Sequence, residues 1–175
     1  MIVYFDTSFL VKIYAVEDDS EAAQTMMSAA SAIVTSVVSY AELCSAMARK
    51  RREGGLDETA YQSALRAFQT DWDGIEKVAV SEETARRAGD LARKHSLRGF
   101  DAIHLASALW ISSGIKGGKL TFATADNRLA LAAAREGLAT HRNYGDAPRG
   151  GMTVMERCQK DWKPAPRSRR KGVRS

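Results

Sequence analysis

Apolar positions along the chain follow two alternating rhythms: short unbroken runs and longer helical periods. Ile2-Val3-Tyr4-Phe5 is an unbroken apolar run, as strands show when both faces are covered. Ala32 to Val37, Ile75 to Val80 and Leu120 to Thr124 read as further strands, and Leu138 to His141 as a fifth. Helical stretches separate them. Phe9 to Val16 reads as a short helix. Ser20 to Ser31 follows, with Asp18, Asp19 and Glu21 near its start, where the helix dipole favours acids. Ser39 to Glu53 stops at Gly54-Gly55, and Asp57 to Asp73 ends before Gly74. Ser81 caps a helix that runs to about His95. Asp101 to Ser112 is rich in Ala and Leu, and Asn127 to Glu136 is closed by Gly137. Strands alternating with helices imply β-α-β crossovers, hence an α/β fold whose parallel sheet is covered on both faces.

This pattern ends near Ala147. Pro148, Gly150-Gly151 and the stretch Lys163 to Lys171 offer little to bury, so the expected organisation is one domain over 1–146 and a flexible basic extension over 147–175. The net charge of +5 is concentrated there: from Arg149 to Ser175 nine lysines and arginines face two acids, whereas the remainder has seventeen against nineteen. The basicity therefore does not by itself mark a nucleic-acid-binding face on the domain. A chain of 175 residues can bury a core without staples. Cys44 and Cys158 sit in unrelated contexts and form neither a disulfide framework nor a zinc site, which suits a reducing compartment. No apolar stretch approaches the ~20 residues that span a bilayer, and Met1 to Phe5 lacks the basic start of a signal peptide. The expected location is cytoplasmic, with no membrane partner.

Ligands of an open parallel sheet bind at the carboxyl ends of its strands. Four acids fall at such junctions: Asp6 after the first strand, Glu42 in the first turn after the second, Asp101 at the opening of the Ala/Leu helix, and Asp126 after the fourth strand. Gathered in one partly dry cleft they would repel one another by several kcal/mol. A divalent cation relieves that, and an all-oxygen set suits Mg²⁺ or Mn²⁺ rather than zinc. Each acid also has a plainer reading. Asp6 and Asp126 are apt helix caps, Ser39-Tyr40-Ala41-Glu42 matches a capping box, and Asp101 suits a helix start. Their joint placement is what argues for a site.

Asp6-Thr7-Ser8, Ser39-Tyr40-Ala41-Glu42-Leu43, Gly99-Phe100-Asp101-Ala102-Ile103-His104-Leu105-Ala106 and Thr121-Phe122-Ala123-Thr124-Ala125-Asp126 together resemble the successive motifs of PIN-domain nucleases, most closely the VapC-type toxins. The resemblance spans about residues 1–145. It implies a three-layer α/β/α fold with a mainly parallel sheet of about five strands. It also implies metal-dependent endonuclease action on RNA, a homodimer, and a co-encoded VapB-type antitoxin that masks the site. Asp6, Glu42, Asp101 and Asp126 then take both the metal-binding and the catalytic roles, with Mg²⁺ as cofactor and Mn²⁺ as a substitute. The basic extension is not required by that family.

Other polar residues carry weaker readings. Thr7 and Thr124 lie beside the acids, either ordering water and phosphate or serving as caps. His104 sits among Ile103, Leu105 and Ala106 and reads as a packing histidine; His95 and His141 read as water-facing. The Arg49 to Arg52 run reads as a solvated helix end, and Trp72 and Trp110 as core or dimer-interface residues. Two rival functions remain. An aspartate-based phosphatase also begins with an acid after the first strand, but it requires a second Asp where this chain has Ser8. A catalytically inactive RNA- or partner-binding module would have no reason to keep all four acids.

Overall fold

Burial on both faces explains the unbroken apolar strands. A computed structural model of the chain describes residues 1–15, 20–115 and 119–141. The strands are β1 (Ile2–Phe5), β2 (Ala32–Ser36), β3 (Glu76–Val78), β4 (Leu120–Ala123) and β5 (Ala139–His141). They form one sheet in the order β3-β2-β1-β4-β5, and every pairing is parallel. The helices are α1 (Thr7–Tyr14), α2 (Ser20–Ala29), α3 (Ser39–Arg52), α4 (Glu58–Trp72), α5 (Glu82–His95), α6 (Gly99–Gly114) and α7 (Asn127–Arg135). None of the helices among the described residues is long and apolar enough to cross a membrane.

The central strand β1 divides the core in two. Val3 and Phe5 point into a cluster with Phe9 and Leu10 of α1, Leu43 and Met47 of α3, and Phe68 of α4. Tyr4 points the other way, into a cluster with Leu91 of α5, Leu105 of α6, Phe122 of β4 and Leu129 of α7. The period of two along β1 thus builds a three-layer α/β/α fold. With β2 on one side of β1 and β4 on the other, the chain reverses its winding direction at the centre of the sheet. In such sheets the crevice at the carboxyl ends of those central strands is where ligands bind.

Most element ends agree with the sequence within the usual fraying. Three differ for local reasons. The first helix starts at Thr7, directly after the strand, because the Asp6 carboxylate accepts from the Phe9 amide. The helix bearing Asp101 starts at Gly99, because Arg98 supplies the extended N-cap backbone; Asp101 is the third residue of its first turn. The capping box expected at Ser39–Glu42 does not form: the N-cap residue is Val38, without a side-chain bond. Ser39 Oγ lies 2.6 Å from Thr35 Oγ1 instead, and the Glu42 carboxylate turns away from the helix start. Gly137, at φ +87°, closes α7 as expected. Trp110, 56% exposed, is not a core residue of the single chain, whereas Trp72 packs with Phe68 and Tyr40. The extension over 147–175 lies outside the described residues.

Phe9 is fully buried and stacks on Phe5 with ring centroids 4.6 Å apart. Phe9→Ala is expected to lower stability by about 3–5 kcal/mol in urea unfolding, against less than about 0.5 kcal/mol for Trp110→Ala.

Candidate active site

Asp6 is 3% exposed, which makes its carboxylate expensive unless donors surround it. They do. Oδ1 accepts from the Phe9 amide at 2.9 Å, Oδ2 accepts from Thr124 Oγ1 at 2.7 Å, and the Ser8 hydroxyl lies 2.8 Å from both oxygens. Burial still pushes the Asp6 carboxyl above the ordinary aspartate range, against the pull of His104 and of these hydrogen bonds. With both oxygens engaged, and Ser8 rather than an acid two positions on, Asp6 is a poor candidate for a phosphoryl-accepting nucleophile.

Thr124 ties two acids together. Its hydroxyl donates to Asp6 and accepts from the Asp126 amide at 3.0 Å. Ser8 Oγ likewise accepts from the Ala125 amide at 2.9 Å. The loop after β4 is thereby fastened to the end of β1, which places Asp126 beside Asp6. Asp126 Oδ1 caps α7 by accepting from the amides of Arg128 and Leu129 at 2.7 and 3.0 Å. The capping readings of Asp6 and Asp126 therefore hold, and they coexist with the site. A cap uses only part of a carboxylate's four lone-pair positions.

Glu42 reaches the same edge from α3. Its Oε2 accepts from Thr7 Oγ1 at 2.6 Å and lies 2.9 Å from His104 Nε2. Burial raises its pKa, but the bonds from His104 and Thr7 and the His104 charge outweigh burial, and the net shift is downward. Asp101, on α6, is raised by burial and further by the negative charges of Asp126 and Glu42, while Arg98 and His104 offset part of this. The charges of Asp126 and Glu42 thus act on Asp101, and His104 acts on Asp6, Glu42 and Asp101 alike.

Arg98 was not read from the sequence as part of the site. Its guanidinium lies 3.4 Å from Asp101 Oδ2 and 3.7 Å from Asp126 Oδ2, with the side chain 82% exposed. The segment that carries it is tethered to α7: Arg128 donates to the Ser96 carbonyl, and Glu136 Oε1 lies 2.6 Å from His95 Nε2 and 2.8 Å from Lys94 Nζ. Hydrogen bonds from Lys94 and then His95 hold the Glu136 carboxyl below its ordinary range. His95 is therefore an interior contact, not the water-facing residue expected; its side chain is 5% exposed. The only hint of Arg98 in the sequence is its spacing of three from Asp101, which puts both on one helical face.

Among the described residues, no three His, Cys, Asp or Glu side chains stand close enough together to hold a metal ion as they are oriented here. Each acid has its own partner instead: Asp6 its donors, Glu42 the His104–Thr7 pair, and Asp101 and Asp126 the guanidinium. The chemistry of the set nonetheless fits a hard divalent cation. The donors are all oxygen, their mutual repulsion is unrelieved by burial, and a cationic group, Arg98, already stands in between two of them.

That repulsion has a measurable sign. Because the folded-state pKa of Asp101 is raised, ionising it disfavours the metal-free fold. The penalty is absent below the unfolded aspartate pKa of about 3.9 and develops as pH rises through the folded value. The exposed Arg98 pair returns little. Asp101→Asn is expected to melt above wild type at pH 7 without metal, by about 2–4 °C per kcal/mol relieved, and the gap should close as pH falls towards 4. A gap that widens on acidification would contradict the assignment.

Comparison with known proteins bears on the fold and the family. The PIN domain family model matches residues 3–135. Ribonuclease VapC45 of Mycobacterium tuberculosis is 37% identical over 108 residues, which is 62% of this chain and 75% of that protein. FitAcB of Neisseria gonorrhoeae superposes with a TM-score of 0.57 at 18% identity, over 83% of this chain and 99% of that one. VapBC2 of Rickettsia felis, solved with a DNA fragment from its promoter, gives 0.54 at 16% identity, over 81% and 98%. The last two likenesses show a shared fold and no more. The family match along most of the chain, and a relative sharing more than a third of its aligned residues, carry the assignment: this chain belongs to the PIN-domain family, among its VapC-type members.

Proposed function

We propose that the protein is an Mg²⁺-dependent endoribonuclease and the toxin of a toxin–antitoxin pair. The observation that supports this is the set of links drawing four acids from separate segments towards one edge: Thr124 between Asp6 and Asp126, Arg98 between Asp101 and Asp126, and the charge of Glu42 acting on Asp101. Family membership and the name of the VapC45 relative support the nuclease reading.

The four acids would hold the ion. When bound, Mg²⁺ (or Mn²⁺ in its place) supplies charge stabilisation at the scissile phosphate and a more acidic water. The rest falls to the chain. Asp6, fixed by its donors, gives the site a rigid reference point. Glu42 offers Oε1, since both its hydrogen bonds fall on Oε2. Arg98, largely in water, can leave the Asp101–Asp126 pair and meet a phosphate of the substrate backbone. The same pair that accepts this internal guanidinium would accept one from outside. A small VapB-type antitoxin presenting an arginine is thus a fitting inhibitor. The family reading adds a homodimer.

Cleavage of a mixed RNA pool should require Mg²⁺ or Mn²⁺ and stop with chelator. Asp6→Asn and Asp101→Asn should each lower kcat about 100-fold or more, as expected when several kcal/mol of metal stabilisation are lost. RNA binding without cleavage in any metal would favour the inactive-module reading instead.

Expression of the chain alone should arrest a bacterial host, and co-expression of its antitoxin should restore growth. A soluble, folded and harmless protein would defeat the toxin reading, whatever its activity in vitro.

A further inference from the structure

His104 is 2% exposed, as a packing residue would be, yet both of its ring nitrogens are committed. Nδ1 lies 3.1 Å from Tyr4 Oη, and Nε2 lies 2.9 Å from Glu42 Oε2 and 3.1 Å from Thr7 Oγ1. A nitrogen lone pair cannot face a carboxylate oxygen at that distance, so Nε2 carries a hydrogen and donates it to Glu42. Tyr4 is fully buried, and its Oη faces Nδ1, the other ring nitrogen. The Tyr4 and His104 rings meet edge to face at 77°, which fixes the imidazole plane.

We propose that His104 is a positioning residue for Glu42, itself oriented by Tyr4, and that this buried file turns the Glu42 carboxylate so that one oxygen is anchored and the other is presented to a divalent cation. The proposal rests on the metal-site reading above. A glutamate has three side-chain torsions, and freezing them costs conformational entropy. His104 and Thr7 meet that cost in advance by holding Oε2. Oε1 has no hydrogen bond among the described residues. Asp101 and His104 stand three apart on α6, so a single helix delivers its own acid and the group that steadies the acid from α3. Metal ligands supported in this way typically lose 10–100-fold in metal affinity when the supporting group is removed.

The test is Mn²⁺ binding to the full-length chain, measured by titration calorimetry without RNA, alongside kcat and KM on RNA. His104→Leu should weaken Mn²⁺ binding about 10–100-fold and lower kcat, with KM for RNA little changed. His104→Gln keeps an N–H donor near the Nε2 position and should recover most of both. Tyr4→Phe keeps the ring and should fall between; it decides the matter if His104→Leu does not fold. A His104→Leu protein, or in its place Tyr4→Phe, that loses thermal stability but binds Mn²⁺ as wild type would show a packing role only and overturn the proposal. Glu42→Gln separates the two levels. If it abolishes Mn²⁺ binding and cleavage while the His104 variants keep both, positioning alone is overturned. If Glu42→Gln binds and cleaves as wild type, the metal-site reading falls and this proposal with it.

Discussion

A carboxylate almost without water, Asp6, sits at the end of the central strand, and much of the surrounding structure is what its burial requires. A bare buried charge costs far more than a folded domain can spare, so donors have to be brought to it. One comes from its own helix, through the Phe9 amide. Another is the Ser8 hydroxyl of that same helix, and the third, from Thr124, lies 118 residues further along the chain; Ser8 and Thr124 each also hold the loop after β4. Satisfying Asp6 therefore fixes where the chain passes between β4 and α7, and so where Asp126 stands.

The four acids are not equivalent. Asp6 is immobilised by hydrogen bonds to both oxygens, and Glu42 through one oxygen. Asp101 and Asp126 are about a quarter exposed and share a guanidinium that itself lies in water, while Asp126 Oδ1 also caps α7. Such a site combines a fixed inner pair with an adjustable outer pair. Cationic partners, whether an ion or an arginine, compete at the outer pair, where little desolvation has to be overcome. The ties from Arg128, Lys94 and His95 set the distance at which Arg98 hovers over it.

Legibility from the sequence followed the range of the interaction. Strands buried on both faces announce themselves as unbroken apolar runs, and Ser81, Gly54 and Gly137 mark helix ends through contacts within a few residues. The acids at strand ends were legible because α/β topology itself makes those positions functional. Readings that failed were those in which a local partner competed with a distant one. Glu42 could have closed a capping box with Ser39. It turned instead to Thr7 and His104, whose bonds shelter its charge from a partly buried edge. His95 failed because residue type alone does not say which face of a helix meets a neighbour, and the exposure of Trp110 removes only the core half of its reading.

The sequence by itself determined the alternation of strands and helices, the burial of the sheet on both faces and the positions of Asp6, Glu42 and Asp126 just after β1, β2 and β4. All of these are written in periodicity and in neighbours along the chain. Only the tertiary structure decided the strand order that brings the ends of β1 and β4 together, the Arg98 bridge, and the file from Tyr4 through His104 to Glu42. Residues 4, 42 and 104 belong to three different elements, and hydrogen bonds among them depend on packing between layers, which no local pattern encodes.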